Sequence, residues 1–166
     1  MTDIMNAVTV RPACGGDVIG ITSLVNGYAA EAIMLPRSPE SVRMTLHDFV
    51  VAVDSFGNVM ACGALKEYSP SLAEVASVAV ARDAHGLGLG TAIVAEVERL
   101  ARKRGIDELF ALTLTPKFFE STGYAVVDRA LYPEKIRRDC LKCPRRIRCN
   151  EYCVARVVQE EMAVAA

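Results

Sequence analysis

The most constraining stretch of this 166-residue chain is Arg82-Asp83-Ala84-His85-Gly86-Leu87-Gly88-Leu89-Gly90-Thr91, in which three glycines alternate between an apolar segment and an amphipathic one. Before it, Val75, Ala76, Val78, Ala79 and Val80 make a near-continuous apolar run that predicts a buried strand. After it, Ile93, Val97, Leu100 and Ala101 recur at helical spacing, Glu98 and Arg102 pair at i,i+4 on the opposite face, and Gly105 supplies a stop. Glycine has no Cβ, so alternating glycines let successive N–H groups point together at the N-terminus of the following helix. Such a turn suits a phosphate. Neither G-x-G-x-x-G with its acidic partner on the next strand nor Gly-Lys-Ser/Thr is present, which excludes the dinucleotide and P-loop versions. A tight strand-to-helix connection that binds nothing is the alternative on the loop alone.

With 52% hydrophobic and 23% charged residues, the chain fits one globular domain over 1–166. Its net charge of −1 gives no global field for nucleic acid or an anionic membrane. The N-terminus has Asp3 and no apolar core of a signal peptide, and no uncharged apolar run reaches the ~18 residues of a membrane span. The expectation is a cytoplasmic protein with no nucleic-acid or membrane partner, whose six cysteines are reduced thiols.

The remaining pattern reads as mixed α/β. Val8 and Val10 suggest a first strand ended by Arg11-Pro12; Asp17, Val18, Ile21, Val25 and Tyr28 suggest a helix that Gly20 and Gly27 make short or imperfect. Ser38-Pro39-Glu40 opens a second helix whose buried face is Val42, Leu46 and Phe49. Phe49 to Val53 and Val59 to Leu65 flank a hairpin turn, and Tyr68-Ser69-Pro70-Ser71 turns the chain into the strand that feeds the glycine loop. Leu109 to Leu114 is a further strand, Thr115-Pro116 starts a short helix closed by Gly123, and Tyr124 to Val127 returns as a strand.

Residues 134–153 are rich in cysteine and basic residues. Cys140-x2-Cys143-x5-Cys149-x3-Cys153 offers four thiols that could close a tetrahedral zinc site or stay free or redox-labile. The five-residue gap, and Cys153 entering an apolar strand with Val154, Val157 and Val158, weigh against metal, and none is assigned. The basic tract Lys135, Arg137, Arg138, Lys142, Arg145, Arg146 and Arg148 reads as a solvated loop or as cations for an anionic ligand.

The x-Gly-x-Gly-x-Gly loop with His85 or Arg82 ahead of it resembles the pyrophosphate loop of the GNAT superfamily of N-acetyltransferases, and Phe118-Phe119-Glu120-Ser121-Thr122-Gly123-Tyr124 resembles that family's later aromatic-Tyr-Glu-x-x-Gly-Phe signature. The resemblance implies a mostly antiparallel mixed sheet flanked by helices, with a splayed central strand pair. It implies acetyl-CoA as cosubstrate, pantetheine along the backbone of Val78 and Val80, and pyrophosphate on the amides of Gly86, Leu87, Gly88, Leu89, Gly90 and Thr91, with His85 on a cofactor oxygen. Phe119 stands where the family often has an acidic tyrosine, with Tyr124 a weaker substitute. Glu74 is the candidate general base: a carboxylate entering an apolar strand can relay a proton through water, and a solvent-facing strand end is the alternative.

A narrower resemblance runs through Met34-Leu35-Pro36-Arg37-Ser38, Cys62-Gly63-Ala64-Leu65, Ala73-Glu74-Val75-Ala76, Leu112 to Glu120, and Tyr132-Pro133-Glu134-Lys135-Ile136 with Asp139 to Pro144. These segments resemble the acetyltransferase domain of bacterial N-acetylglutamate synthases of the short, single-domain type. That likeness implies L-glutamate as acceptor in the first step of arginine synthesis, with Arg37 on a glutamate carboxylate and Ser77 and Thr115 lining the amine and thioester. It leaves no room in 166 residues for the arginine-sensing domain of full-length relatives, and it leaves a homodimer open. The rivals are a GNAT enzyme for another small amine or amino acid, and a metal- or redox-sensing protein on the same scaffold.

Overall fold

A computed structural model describes residues 7–144 and 149–158. The elements are β1 (Thr9–Pro12), α1 (Val18–Ala29), α2 (Pro39–Met44), β2 (Phe49–Val53), β3 (Val59–Ser69), β4 (Leu72–Val80), α3 (Leu89–Lys103), β5 (Glu108–Thr113), α4 (Pro116–Ser121), β6 (Ala125–Val127), α5 (Pro133–Arg138) and β7 (Tyr152–Val157). The seven strands form a mixed sheet in the order β1-β2-β3-β4-β5-β7-β6. β1 with β2, β2 with β3, β5 with β7 and β6 with β7 are antiparallel, while β4 and β5 are parallel. The parallel ladder has three rungs, from Leu72↔Glu108 to Glu74↔Phe110.

The chain divides into two compact units, one of Met1–Lys66 with Val75–Leu100, the other of Glu67–Glu74 with Ala101–Ala166. β4 passes from one to the other between Glu74 and Val75.

In the first unit, Val18, Ile21 and Val25 of α1 and Val42 of α2 pack on Phe49, Val51 and Val53 of β2. Three to four residues separate the buried positions of α1 because 3.6 residues make a turn, and alternate residues of β2 share one face because a strand has period two. Burial of each such side chain contributes ~1.5–3 kcal/mol. α1 is a continuous 12-residue helix rather than the short or imperfect one expected. Its Gly20 is there for packing, since a Cβ at that position would lie 2.6 Å from Val59 Cγ2. Gly63 of β3 plays the same part under α3, where a Cβ would stand 2.5 Å from Ile93 Cγ2.

Ser38 caps α2 by accepting a hydrogen bond from the Ser41 N–H at 3.1 Å, with Pro39 in the first turn. The reading of Leu46 and Phe49 on this helix is corrected. α2 ends at Met44, Leu46–Asp48 is a one-turn 3-10 segment, and Phe49 begins β2. Pro39 and the Ser38 cap start the helix, but the Thr45 hydroxyl turns back to the Ser41 carbonyl at 2.8 Å and its backbone leaves the helical region at φ −113°, ψ 20°.

In the second unit, Tyr68, Leu72, Phe110, Tyr132 and Cys153 form the buried cluster, with Phe110 stacked on Tyr132 at 4.4 Å between ring centres. Gly123, at φ +98°, ends α4 in the left-handed conformation that a Cβ disfavours, and Tyr124 N–H returns to the Phe119 carbonyl at 3.0 Å.

Candidate active site

The turn between β4 and α3 is built as its glycines imply. Gly86 and Gly88 have φ of +81° and +77°, conformations that cost a residue with Cβ about 1–2 kcal/mol. α3 begins at Leu89, and the N–H of Ala92 makes the first helical bond, to the Gly88 carbonyl at 3.1 Å. The six consecutive amides from Gly86 to Thr91 make no hydrogen bond to any described residue. Gly86, Gly88 and Thr91 are exposed, Leu87 and Gly90 half-buried, and Leu89 anchors the turn in the core. Unpaired amides ahead of a helix N-terminus are donors ready for an anion.

The strand end before the loop is fixed from α1. The Tyr28 hydroxyl donates to the Val80 carbonyl at 2.5 Å and stands 2.9 Å from His85 Nε2, which itself lies 3.1 Å from the Val80 oxygen. With its proton on Nε2, His85 donates inward, and only Nδ1 is left for a ligand. Arg82 is likewise engaged: it pairs with Glu31 and its guanidinium lies 4.9 Å from the centre of the Tyr28 ring. Val78 and Val80 are half-buried on β4. Ser77 adopts φ +54°, a strained value for a residue with Cβ, and its carbonyl accepts from the Cys62 thiol at 3.4 Å. Burial pushes that thiol up to about 12, so Cys62 is an inert core residue.

Arg37 is held rather than free to swing. Its backbone N–H and carbonyl both bond to the Asn26 side-chain amide at 2.8 Å; Nε donates to Ser41 Oγ at 3.0 Å and Nη2 to Thr45 Oγ1 at 2.9 Å. The guanidinium lies 5.4 Å from the centre of the Phe49 ring. Burial lowers its pKa although the Asp48 carboxylate pulls the other way, and Nη1 makes no hydrogen bond among the described residues. A half-buried cation in that state favours an incoming anion.

In the second unit, Glu74 is 6% exposed at the last rung of the β4–β5 ladder. Its Oε1 accepts from Tyr68 Oη at 3.1 Å and from Lys135 Nζ at 3.0 Å, while Oε2 bonds to no described residue. The solvent-facing alternative therefore does not hold. Lys135 also reaches Asp139 Oδ2 at 3.1 Å, and Tyr68 Oη donates a short hydrogen bond to the same oxygen. Burial works against the Lys135 ammonium, but the two carboxylates outweigh it and raise its pKa. Burial first, then Glu74 and Asp139, raise the Tyr68 phenol so that it stays protonated.

Thr115, exposed before α4, donates its N–H to Thr113 Oγ1 at 2.9 Å. Phe119 is buried and packs edge-on against Tyr124, their centroids 5.2 Å apart, so both aromatics serve the core.

The basic tract is not one solvated loop. Lys135 is the counter-ion just described, and Arg138 donates to the Glu67 carbonyl and lies 4.6 Å from the centre of the Tyr68 ring. Arg145, Arg146 and Arg148 lie outside the described residues. Cys149 accepts from Arg129 Nη1 at 3.3 Å, Cys140 and Cys143 are half-buried, and burial pushes Cys153 up to about 11. Among the described residues no three His, Cys, Asp or Glu side chains gather as a metal site.

The unpaired phosphate-type loop thus falls in one unit with Arg37, Ser77, Val78, Val80 and His85, and Glu74 and Thr115 fall in the other. Sequence reading missed Tyr28, Tyr68, Lys135 and Asp139. Of these, only Lys135 and Asp139 carry a local sign, their i,i+4 spacing.

A mixed sheet whose fourth strand runs into a glycine turn with free amides is the arrangement that the resemblance to N-acetyltransferases implies. The sequence pattern described as the Acetyltransferase (GNAT) family matches residues 21–124, and the chain belongs to that family: it is an acetyl-CoA-dependent N-acetyltransferase. It is 38% identical over 149 residues, 90% of this chain and 96% of the relative, to an uncharacterized N-acetyltransferase of Chlorobaculum tepidum. It is 29% identical over 143 residues, 85% of this chain, to the amino-acid acetyltransferase of Mannheimia succiniciproducens, of which it spans 32%. Its structure resembles that of N-acetylglutamate synthase from Neisseria gonorrhoeae complexed with coenzyme A and N-acetyl-glutamate, with a TM-score of 0.83 and 28% identity over 92% of this chain and 35% of that one. No helix among the described residues is long and apolar enough to cross a membrane.

Proposed function

We propose that this enzyme acetylates the α-amino group of L-glutamate, giving N-acetyl-L-glutamate for arginine synthesis in the cytoplasm. The observation that carries the acceptor is the likeness over nearly the whole chain to a synthase whose complex holds coenzyme A and N-acetyl-glutamate.

In this reading the amides of Gly86 to Thr91 hold the pyrophosphate, and the backbone of Val78 and Val80 lines the pantetheine. Six donors that need no partner to be displaced favour such an anion. Arg37 offers Nη1 to a substrate carboxylate, and Ser77 and Thr115 line the amine and thioester. An ammonium cannot attack a thioester, so a base must first take its proton. Glu74 does this through its unpaired Oε2, directly or across one water. The thiolate leaves without an acidic tyrosine, because a thiol of pKa about 8.5 is a tolerable leaving group near neutral pH. Burial of Phe119 in the core is in keeping with that.

The test is a thiol-release screen with acetyl-CoA across the free amino acids, polyamines, aminoglycosides and short peptides. Release with L-glutamate well above every other amine supports the proposal. Faster release with another acceptor overturns it.

A further inference from the structure

We propose that Tyr68 and Asp139 form the exit by which the proton taken up by Glu74 reaches solvent, with Lys135 as the residue that positions both carboxylates; this rests on Glu74 being the base.

The stoichiometry demands an exit. As the C–N bond forms and the C–S bond breaks, the ammonium nitrogen gives up two protons. One ends on the sulfur of the departing thiol. The other must leave the protein, and Glu74 is only 6% exposed.

The geometry supplies the route. One phenol hydrogen faces two carboxylate oxygens, Glu74 Oε1 on one side and Asp139 Oδ2 on the other. When protonated Glu74 donates to the Tyr68 oxygen, the hydroxyl hydrogen passes to Asp139, and Tyr68 ends as it began. Uptake at Oε2 and release at Oε1 are connected by a half-turn of the carboxyl group, whose terminal torsion is broad and two-fold. Asp139 lies on the outer side: its side chain is 25% exposed against 8% for Glu74.

Charge favours the same direction. Two carboxylates and one ammonium leave the set at −1, so an arriving proton neutralises it. Lys135, within 3.1 Å of both acids, offsets the repulsion that otherwise arises between two carboxylates this close. Arg138 over the phenol ring and the thiols of Cys140 and Cys153 also face Glu74 and Tyr68. Both thiols are pushed up by burial, so neither competes for the proton as a thiolate.

Tyr68→Phe keeps the ring and removes the bridge. With the best acceptor from the amino-acid screen, kcat falls about ten-fold, short of the ~100-fold or more expected on losing the base itself. Its plateau moves to higher pH, and the solvent deuterium isotope effect on kcat rises, while acetyl-CoA affinity is unchanged. Asp139→Asn gives the same signature, Asp139→Glu restores it, and Tyr68→Phe with Asp139→Asn is no slower than either alone. Wild-type pH profiles and isotope effects in both single variants overturn the exit. If Tyr68→Phe does not fold, Asp139→Asn at the partly exposed end decides alone. Glu74→Gln separates the two layers: wild-type turnover there removes the base and the exit with it, whereas an inactive Glu74→Gln beside wild-type Tyr68→Phe and Asp139→Asn removes the exit only.

Discussion

The Tyr28 hydroxyl, near the end of α1, donates to the carbonyl of Val80, the last residue of β4, at 2.5 Å. That bond fixes the chain six residues before Gly86, the first of the unpaired amides. Tyr28→Phe removes it together with the contact to His85 Nε2, which keeps its bond to the Val80 carbonyl. A neutral hydrogen bond is worth about 1 kcal/mol, so acetyl-CoA affinity should fall roughly five-fold. Calorimetric titration checks this, and unchanged affinity would mean that the loop holds its shape without α1.

At Gly88 the structure offers open space to a Cβ, so the cost of a side chain there is backbone strain and obstruction of the ligand rather than a clash within the fold. Gly88→Ala should destabilise by about 1–2 kcal/mol. Gly88→Val should abolish measurable coenzyme binding while the protein still melts cooperatively. Unchanged acetyl-CoA affinity in the valine variant would sink the assignment of this loop.

Arg37 has two separable duties. Its charge-assisted contact with a substrate carboxylate is worth ~1.5–3 kcal/mol, so Arg37→Ala should cut kcat/KM for glutamate roughly ten- to a hundred-fold and leave acetyl-CoA affinity unchanged. Its bonds to Ser41 and Thr45 hold α2, so the same variant should also melt earlier. Arg37→Lys keeps the charge but loses the planar fork and should recover only part of either. An Arg37→Ala enzyme with wild-type steady-state kinetics would place the carboxylate elsewhere.

Asp17 is buried and receives both a paired contact from Arg11, at 2.7 and 3.1 Å, and the Cys14 N–H at 2.8 Å. Burial alone would raise its pKa; the guanidinium and the amide outweigh it and hold the carboxyl below its ordinary value. A depressed folded pKa means that the stabilisation is present above the unfolded value of about 3.9 and is lost as pH falls through the folded one. Asp17→Asn should therefore cost ~1–3 kcal/mol at pH 7. Urea melts should show the gap from the wild type closing in acid.

Much of the fold was legible because it depends on local pattern. The apolar run of Val75 to Val80, the alternating glycines and the Ser38-Pro39 start fix neighbouring residues, and short-range sterics decide them. The regularity of α1 and the end of α2 escape that pattern for a different reason. Gly20 reads as a weak point until Val59 is seen against it, and the end of α2 turns on a Thr45 hydroxyl choosing the Ser41 carbonyl. At the site, spacing exposed the loop because one segment builds it. The surroundings of Glu74 were illegible: Lys135 lies 61 residues away in sequence, and nothing in the pattern of α5 says that one of its cations points inward to a strand.

β7, the last of the described strands, lies between β5 and β6, pairing Glu108–Thr113 on one side and Ala125–Val127 on the other. As the chain leaves the ribosome, β5 and β6 emerge before the strand that joins them. Three residues of β6 cannot persist as a strand alone. Until Tyr152–Val157 arrives, β5 shows an open edge beside the apolar Phe110, a template for pairing with another chain. The second unit therefore cannot close its part of the sheet before Tyr152–Val157 has emerged, and a chaperone that shelters this edge until then should raise the soluble yield.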